Sequence, residues 1–446
     1  MKTSRNPIAM SRRQALRTAL FGTGLVGLQS LATGLPSAVF GPMGLGALDA
    51  YAAEGREPQY LLMFTSSRGE PFNCNAPGVY GVAGIDTNPQ GAMAETAVTL
   101  GEVATTASAP WATLPQWVLD RTSVIHHRTY QNAHPQYAKV MRLVGSAREA
   151  DGGGTEYLPS VVASEMHQAL RTIQAAPIRM AGDNEELGFE GRPVQRIRPS
   201  TLAEVFSVPD NDNAIALAEI RQRALDDINA LAKERGTPSQ RLLIDRFATS
   251  REQVKSLDET LLGRLALIDG DDARNQLQAA ITLFLMNLTP VATVQLRFGG
   301  DNHNDNNLDD EREQHVETFE LLRDFFLDLE QTPLRDKVTV ANLDVFGRTL
   351  ERNNNGGRDH NLNHHVMMIS GAGVRGGLHG KVGPSGNDFG ATAIDSQTGE
   401  GYDGADIPEE ETLEAAAKTL ATAVGIDAET VERRIDGGKV IVPAIA

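Results

Sequence analysis

The sequence predicts an α/β fold built on a mostly parallel sheet, and three observations carry that prediction. Short apolar runs such as Tyr60-Leu61-Leu62-Met63-Phe64 and Val366-Met367-Met368-Ile369 have the length and content of strands buried on both faces. Helical segments alternate with these runs, as parallel strands require for their crossovers. Acids and histidines gather where several of the runs end, and open α/β sheets bind ligands beyond the carboxyl ends of their strands.

Residues 1–52 read as a twin-arginine export signal. Ser11-Arg12-Arg13-Gln14-Ala15-Leu16-Arg17 supplies the paired arginines, and a Gly- and Leu-rich stretch follows. Ala50-Tyr51-Ala52 offers small residues for cleavage. The implied partner is the twin-arginine export machinery and the implied location the periplasm or the extracellular space. Pro36 and Pro42 interrupt the apolar stretch, so no stable membrane anchor is expected. Gly22 to Gly27 matches GxGxxG but lies inside the signal, with no strand before it.

Residues 53–446 are expected to form one domain. Tyr60 to Phe64 is its first strand and empties into the polar turn Thr65 to Asn73. Residues 75–110 show no clear period and read as a surface excursion. Trp111 to Leu119 reads as a short helix and Ser123 to His127 as a second strand. A helix follows His134-Pro135, where proline is tolerated in the first turn. Leu158 to Thr172 is a further helix, and Ile178 to Met180 a weak strand. From about 201 to 290 the spacing is helical, forming a layer or lobe, with breaks at Gly236-Thr237-Pro238 and Asp269 to Asp272. Ala292 to Phe298 alternates as a strand, and helix Glu311 to Glu330 carries Val316, Phe319, Leu322, Phe325, Phe326 and Leu329 on its apolar side. Val338 to Leu343 and Val366 to Ile369 close the strand list, separated by an Asn/Gly-rich loop.

Composition narrows the function. The formal charge is −17, and residues 1–52 carry five cations against Asp49, so the difference leaves −21 on the rest of the chain. So acidic a surface repels nucleic-acid backbones and anionic lipid. Cys74 is the single cysteine, which excludes an internal disulfide, an iron–sulfur cluster and a thiolate zinc site within one chain. The strand ends hold Glu70, Asp301 with His303, and Asp344 with His360 and His364. Mixed carboxylate and imidazole donors suit zinc, manganese or magnesium. Each of these groups also has a plainer reading, as a capped turn or a loop hydrogen bond. His365 opens a strand with opposite pleat to His364, so at most one of the two readily faces a site. Gly371 to Gly376 is a second GxGxxG, but no helix follows, and the glycines read instead as a tight backbone path with positive φ beside a pocket.

Phe346-Gly347-Arg348-Thr349, Gly357-Arg358-Asp359-His360, Gly371-x-Gly-Val-Arg-Gly-Gly and Gly300-Asp301-x-His303 together resemble the family labelled domain of unknown function 1501. The resemblance implies an alkaline phosphatase and sulfatase-like three-layer fold with a helical insertion, whose active members hydrolyse phosphate or sulfate esters with one or two divalent metals (Zn, Mn, Mg or Ca). It also implies export by the twin-arginine route. Position by position, it makes Asp301, His303, His360 and Glu70 the metal candidates, to which the strand-end reading adds His364. It places His134 on a histidine at a helix start, and Arg358 is the candidate contact for a phosphate or sulfate oxygen. Two departures count against chemistry: Val345 stands where the family has Glu, and Ala133 where relatives tend to carry Ser. Thr129 or Ser66 could replace that hydroxyl only if the fold places it well. Two readings therefore stand side by side. The first is a non-catalytic exported binding or assembly module, towards which the departures lean. The second is a metal-dependent hydrolase of an anionic ester.

Overall fold

A computed structural model of the 446-residue chain describes residues 57–142, 156–170, 176–182, 185–189, 192–206, 233–255 and 259–446, with scattered positions from 223 to 231. The expected export signal and much of the expected helix before Gly236 lie outside the described residues. Seven strands form one sheet: β1 (Tyr60–Ser66), β2 (Thr122–His127), β3 (Ile178–Arg179), β4 (Val291–Val294), β5 (Val338–Asp344), β6 (His365–Ser370) and β7 (Gly377–His379). Their spatial order is β7-β2-β6-β5-β1-β4-β3. All neighbours are parallel except β6, which runs antiparallel to both β2 and β5.

The period of two along each strand divides the core between the sheet's two faces. In β1, Tyr60, Leu62 and Phe64 pack with Phe284 of helix α2 (Ala273–Leu285) and Phe319 and Leu322 of helix α3 (Asp309–Glu330). Leu61 and Met63 face the other way, towards helix α1 (Leu158–Leu170) and helix α4 (Thr412–Ala423), meeting Val162, Leu413 and Leu420. The result is three layers with every β1 residue buried. That double burial explains why its sequence is a continuous apolar run rather than an alternating one.

The helices begin where the sequence supplies caps. Asp272 accepts a hydrogen bond from Asn275 N at the start of α2, which accounts for the Asp269 to Asp272 break. Before α3, Asn307 and Leu308 adopt positive φ, and the Asp305 carboxylate accepts from the N–H groups of Asp310 and Glu311. Asp309, Asp310 and Glu311 fill the first turn of α3, where the helix dipole favours negative charge. This cap fixes the 301–308 loop at the carboxyl end of the sheet.

Three expectations need correction. The strand expected over 292–298 stops at Val294; Leu296 and Phe298 stay buried, but Gln295 N turns to the Gln276 side chain instead of a neighbouring strand. Residues 75–110, read as a surface excursion without a period, do carry regular structure: Glu95–Leu100 and Val103–Ser108 form a half-exposed antiparallel hairpin apart from the central sheet, with Trp111 buried beyond it. None of the glycines in Gly371 to Gly377 has positive φ. They are needed for close approach: a Cβ on Gly373 would lie 2.1 Å from Ala423 O, and one on Gly376 2.4 Å from Gly101 N. Because β6 is antiparallel, this run leaves the sheet at the edge opposite the histidine-rich one.

The sheet buries an unusual number of imidazoles. His126 and His364 stack with ring centroids 5.2 Å apart, and His127 and His365 lie 5.4 Å apart. Burial pushes the pKa of His126, His127 and His379 down to about 4 and that of His315 to about 3, and depresses His364 and His365 as well. Each therefore stays neutral when folded but gains a proton near pH ~6.5 when unfolded, so stability is lost as pH falls from ~6.5 towards 4, by ~1.4 kcal/mol per pH unit for each group. Glu185, raised by burial to about 8, and Asp344, raised by burial and by Glu70, act in the opposite direction. The six histidines outnumber them. The expected outcome is a melting temperature that falls steadily between pH 6.5 and 4.5; a flat or rising profile contradicts it.

Candidate metal centre

His134, Asp301 and His360 meet at the carboxyl edge of the sheet, on three separate segments. His134 opens a one-turn 3-10 helix (His134–Gln136) some way after β2. Asp301 lies in the loop between β4 and α3, and His360 in a short hairpin pairing Arg348 with His360. One donor atom from each of the three lies within 4.8 Å of the others. Asp301 is exposed and the two histidines are half-buried, so the cluster is open to solvent.

The hydrogen bonds fix how these groups present themselves. His134 Nδ1 lies 2.9 Å from Ser67 O, and His360 Nδ1 lies 2.8 Å from Asn132 O. A carbonyl can only accept, so both rings carry their proton on Nδ1 and present the Nε2 lone pair to the cluster. Such backbone anchoring is how metal-ligating imidazoles are usually oriented. Phe346 stacks on His360 with centroids 4.1 Å apart and meets the His134 ring edge-on, which holds both rings in place.

His303 stands beside the triad. Its Nδ1 donates to Asp359 Oδ1 at 2.8 Å, and its Nε2 lies 2.9 Å from His360 Nε2 and 3.3 Å from Asp301 Oδ1. With both Nδ1 atoms donating elsewhere, two Nε2 lone pairs face each other at that short separation. A proton or a cation between them removes the repulsion, and ligands of one tetrahedral zinc sit only ~3.3 Å apart by the usual bond lengths. The donor set and its geometry fit a divalent ion.

Arg348 organises the same place from beneath. It is fully buried and donates to Arg68 O at 2.6 Å, Gly69 O at 2.5 Å and Asp301 Oδ1 at 2.8 Å, with Nη1 3.3 Å from His303 Nε2. Burial alone would raise the Asp301 pKa, but the Arg348 hydrogen bond and charge, helped by His134 and His303, hold it below the usual carboxylate value. For His360, burial comes first and lowers the pKa, the Asn132 carbonyl opposes it, and Arg348 adds to the lowering. Both groups are thus kept in their metal-binding forms. One oxygen of Asp301 is taken by Arg348, and the other, Oδ2, faces His134 Nε2 at 3.4 Å.

The remaining sequence candidates lie elsewhere. Glu70 is buried, and its carboxylate accepts from Phe298 N, Gly300 N and Ser66 Oγ. It shapes the loop that carries Asp301 rather than standing in the cluster. His364 is fully buried: Asn73 Nδ2 donates to its Nδ1 at 3.1 Å, and its Nε2 donates to His126 Nδ1 at 2.9 Å, with His126 Nε2 passing the chain on to Pro77 O. Both of its nitrogens are therefore in use. Arg358 does not reach an exterior anion, because its guanidinium is completely buried against Glu311 at 2.8 Å and donates to Thr349 O and Asp86 O. Thr129 is buried and its hydroxyl faces backbone carbonyls; Ser66 donates to Glu70. Asp344, one place before Val345, accepts from Gly69 N, Glu70 N and Val345 N. The acids that would build a second metal position are engaged in holding backbone.

Sequence reasoning passed over Arg348 and Arg68. Arg348 lies in the Phe-Gly-Arg-Thr motif, but nothing local shows that it lies under Asp301. Arg68 is exposed, its side chain passes within 4.0 Å of where a Cβ on Gly300 would lie, and it makes no ion pair with a described residue. A separate concavity of about 620 Å³ between Leu267, Leu277 and Phe325 shares no residue with the cluster.

Fold and site together define an α/β protein with an open His-Asp-His cluster at the carboxyl edge of a mainly parallel seven-stranded sheet. The family model described as "Protein of unknown function (DUF1501)" matches residues 131–398, and the chain belongs to that family. No curated protein matches the chain.

Arg358 provides a test of the buried network. Removing one partner of a buried ion pair leaves the other charge uncompensated, so Arg358→Ala is expected to cost about 3–5 kcal/mol in urea-unfolding experiments. A loss below ~1 kcal/mol would show that Glu311 finds other partners among Asn75 and Asn302.

Proposed function

We propose that the chain is a divalent-metal-dependent hydrolase of anionic esters, phosphate or sulfate, working outside the cytoplasm after twin-arginine export. The observation that carries this reading is the convergence of His134, Asp301 and His360, with two tautomers set by backbone carbonyls. His134, Asp301 and His360 would hold the ion, with His303 as an additional donor. Two imidazoles and one carboxylate favour zinc or manganese over magnesium or calcium. When bound, the ion supplies Lewis acidity, generating a nucleophile from water near neutral pH and offsetting the charge of the ester. The ester class is what the resemblance of the sequence motifs implies, and a mainly parallel sheet between helical layers is compatible with it.

The chain's own residues contribute three things. Arg348 and Asp359 hold Asp301 and His303 in register, limiting the reorganisation that binding would otherwise require. Arg68 supplies the exposed cation that Arg358 does not, and can meet a phosphate or sulfate oxygen above Gly300. Ala133 leaves no hydroxyl beside His134, so this reading uses water rather than a covalent Ser or Thr intermediate. Engagement of Glu70 and Asp344 with backbone amides supports one ion rather than two.

Metal analysis of the purified mature protein is expected to give about one zinc or manganese per chain. His360→Ala and His134→Ala should each reduce affinity at least ~10-fold. With metal bound, hydrolysis of 4-nitrophenyl phosphate or 4-nitrophenyl sulfate is expected, lost ~100-fold or more in Asp301→Asn, with Arg68→Ala acting mainly on KM. Less than ~0.1 equivalent of metal, with no thermal stabilisation on adding it, would overturn the reading. Full metal loading without turnover of either ester class would instead leave a non-catalytic binding module.

A further inference from the structure

The Asn/Gly loop before Arg358 forms a second concavity beside the cluster, shallow and open to solvent. Asn304, Asn306 and the run Asn353-Asn354-Asn355 line it, with Asp86 and Arg352. We propose that this pocket binds the hydroxyl groups of a neutral sugar or polyol moiety, so that the ester acted on at the adjacent cluster is a carbohydrate ester. The proposal rests on the hydrolase reading for its second half only.

The chemistry of the lining selects the ligand. No apolar or aromatic side chain contributes to it, which disfavours lipid tails and nucleobases. Arg352 is the one cation on the lining; its Nε is bound to Gly356 O, and its backbone N is bound by Asp86 Oδ2, so the pocket holds one charge of each sign. That balance does not suit a free phosphate. A cation is poorly served as well, because Asn353 Oδ1 already accepts from Asn355 N and Gly357 N. The side chains of Asn304, Asn306, Asn354 and Asn355 are exposed and bond to no described residue, so they face water and a ligand has only water to displace from them. Each amide offers two donors and an acceptor in a fixed plane, which matches the paired donor and acceptor character of vicinal hydroxyls.

The pocket shares a wall with the cluster. Asn353 Nδ2 donates to His303 O at 3.0 Å and to Asp359 Oδ1 at 2.9 Å, and that same oxygen accepts from His303 Nδ1. A ligand spanning the wall would place a sugar among the asparagines and its ester beside Asp301 and His360. The wall is also pre-shaped. Gly356 has φ +82°, and a Cβ there would lie 2.7 Å from Asn306 Oδ1; a Cβ on Gly357 would lie 2.0 Å from Asn302 O. The loop can seat against 302–306 only with glycine at both positions, which fixes the backbone that carries these amides.

The test uses the mature protein, metal-loaded, and the double variant Asn304→Ala/Asn355→Ala, which leaves Asn353 and the cluster untouched. A panel of hexose 6-phosphates and 6-sulfates is compared with 4-nitrophenyl phosphate and 4-nitrophenyl sulfate. At least one sugar ester is expected to exceed its aryl counterpart in kcat/KM by about tenfold, an advantage that the double variant loses through KM while aryl-ester turnover is unchanged. Equal KM in the variant, or no preference for any sugar ester, overturns the proposal. If no ester of either kind is cleaved, the hydrolase reading fails, and the pocket is judged by titrating neutral glucose, galactose, mannose and N-acetylglucosamine. Shifts of asparagine side-chain amide NMR signals in the wild-type protein, absent from the double variant, uphold sugar binding; no shift with any of the four overturns it.

Discussion

A guanidinium buried without solvent must find acceptors for its N–H groups within the protein, and Arg348 finds them on three different segments. It donates to Arg68 O and Gly69 O at the end of β1, to Asp301 after β4, and lies against His303 and Arg358 O. Leaving such donors unmade would cost several kcal/mol, so the segments are tied to one another by the need to satisfy one side chain. The cluster at the sheet edge depends on this constraint. Asp301 keeps its orientation and its negative charge because Arg348 is beneath it, and His303 is turned by Asp359 on the opposite side.

A fully buried ion pair supports this arrangement. Glu311, in the first turn of α3, meets Arg358 and also accepts from Asn75 and Asn302. It therefore joins the helix, the 301–308 loop and the Asn/Gly loop in one polar core. The outcome is a layered division of labour: two buried arginines order the loops, a shell of asparagines and backbone amides fixes their paths, and only the outermost groups are left facing water. Arg68 is exposed and makes no ion pair with a described residue, and Asp301 keeps Oδ2 beyond its bond to Arg348.

Much of the architecture was legible because the physics is local. The continuous apolar run at Tyr60 marks a strand buried on both faces, and the i, i+3, i+4 pattern of Phe319, Leu322, Phe325, Phe326 and Leu329 marks α3. The hairpin Glu95–Leu100 with Val103–Ser108 was not legible, since its Thr- and Ala-rich strands are half-exposed and carry little pattern. At the site, Asp-x-His and Arg-Asp-His drew attention to Asp301, His303 and His360, which the fold brings together with His134. Arg358 belongs to the same Arg-Asp-His motif as His360, yet it is buried with Glu311. Whether an arginine faces out or in depends on a partner 47 residues away, and no local spacing encodes that. The reversal of β6 is equally invisible in its own residues, and it alone decides that the Gly371 to Gly377 run lies away from the cluster.

The account stands on one physical claim, that the lone pairs of His134 and His360 and the free oxygen of Asp301 surround a single cation. Crystals of the protein loaded with zinc or manganese, measured at the metal's absorption edge, test it most directly. The account predicts one anomalous peak within bonding distance (~2.0–2.2 Å) of His134 Nε2, His360 Nε2 and Asp301 Oδ2. A peak bound elsewhere, or no ordered peak while the three side chains keep their present hydrogen bonds, would contradict it.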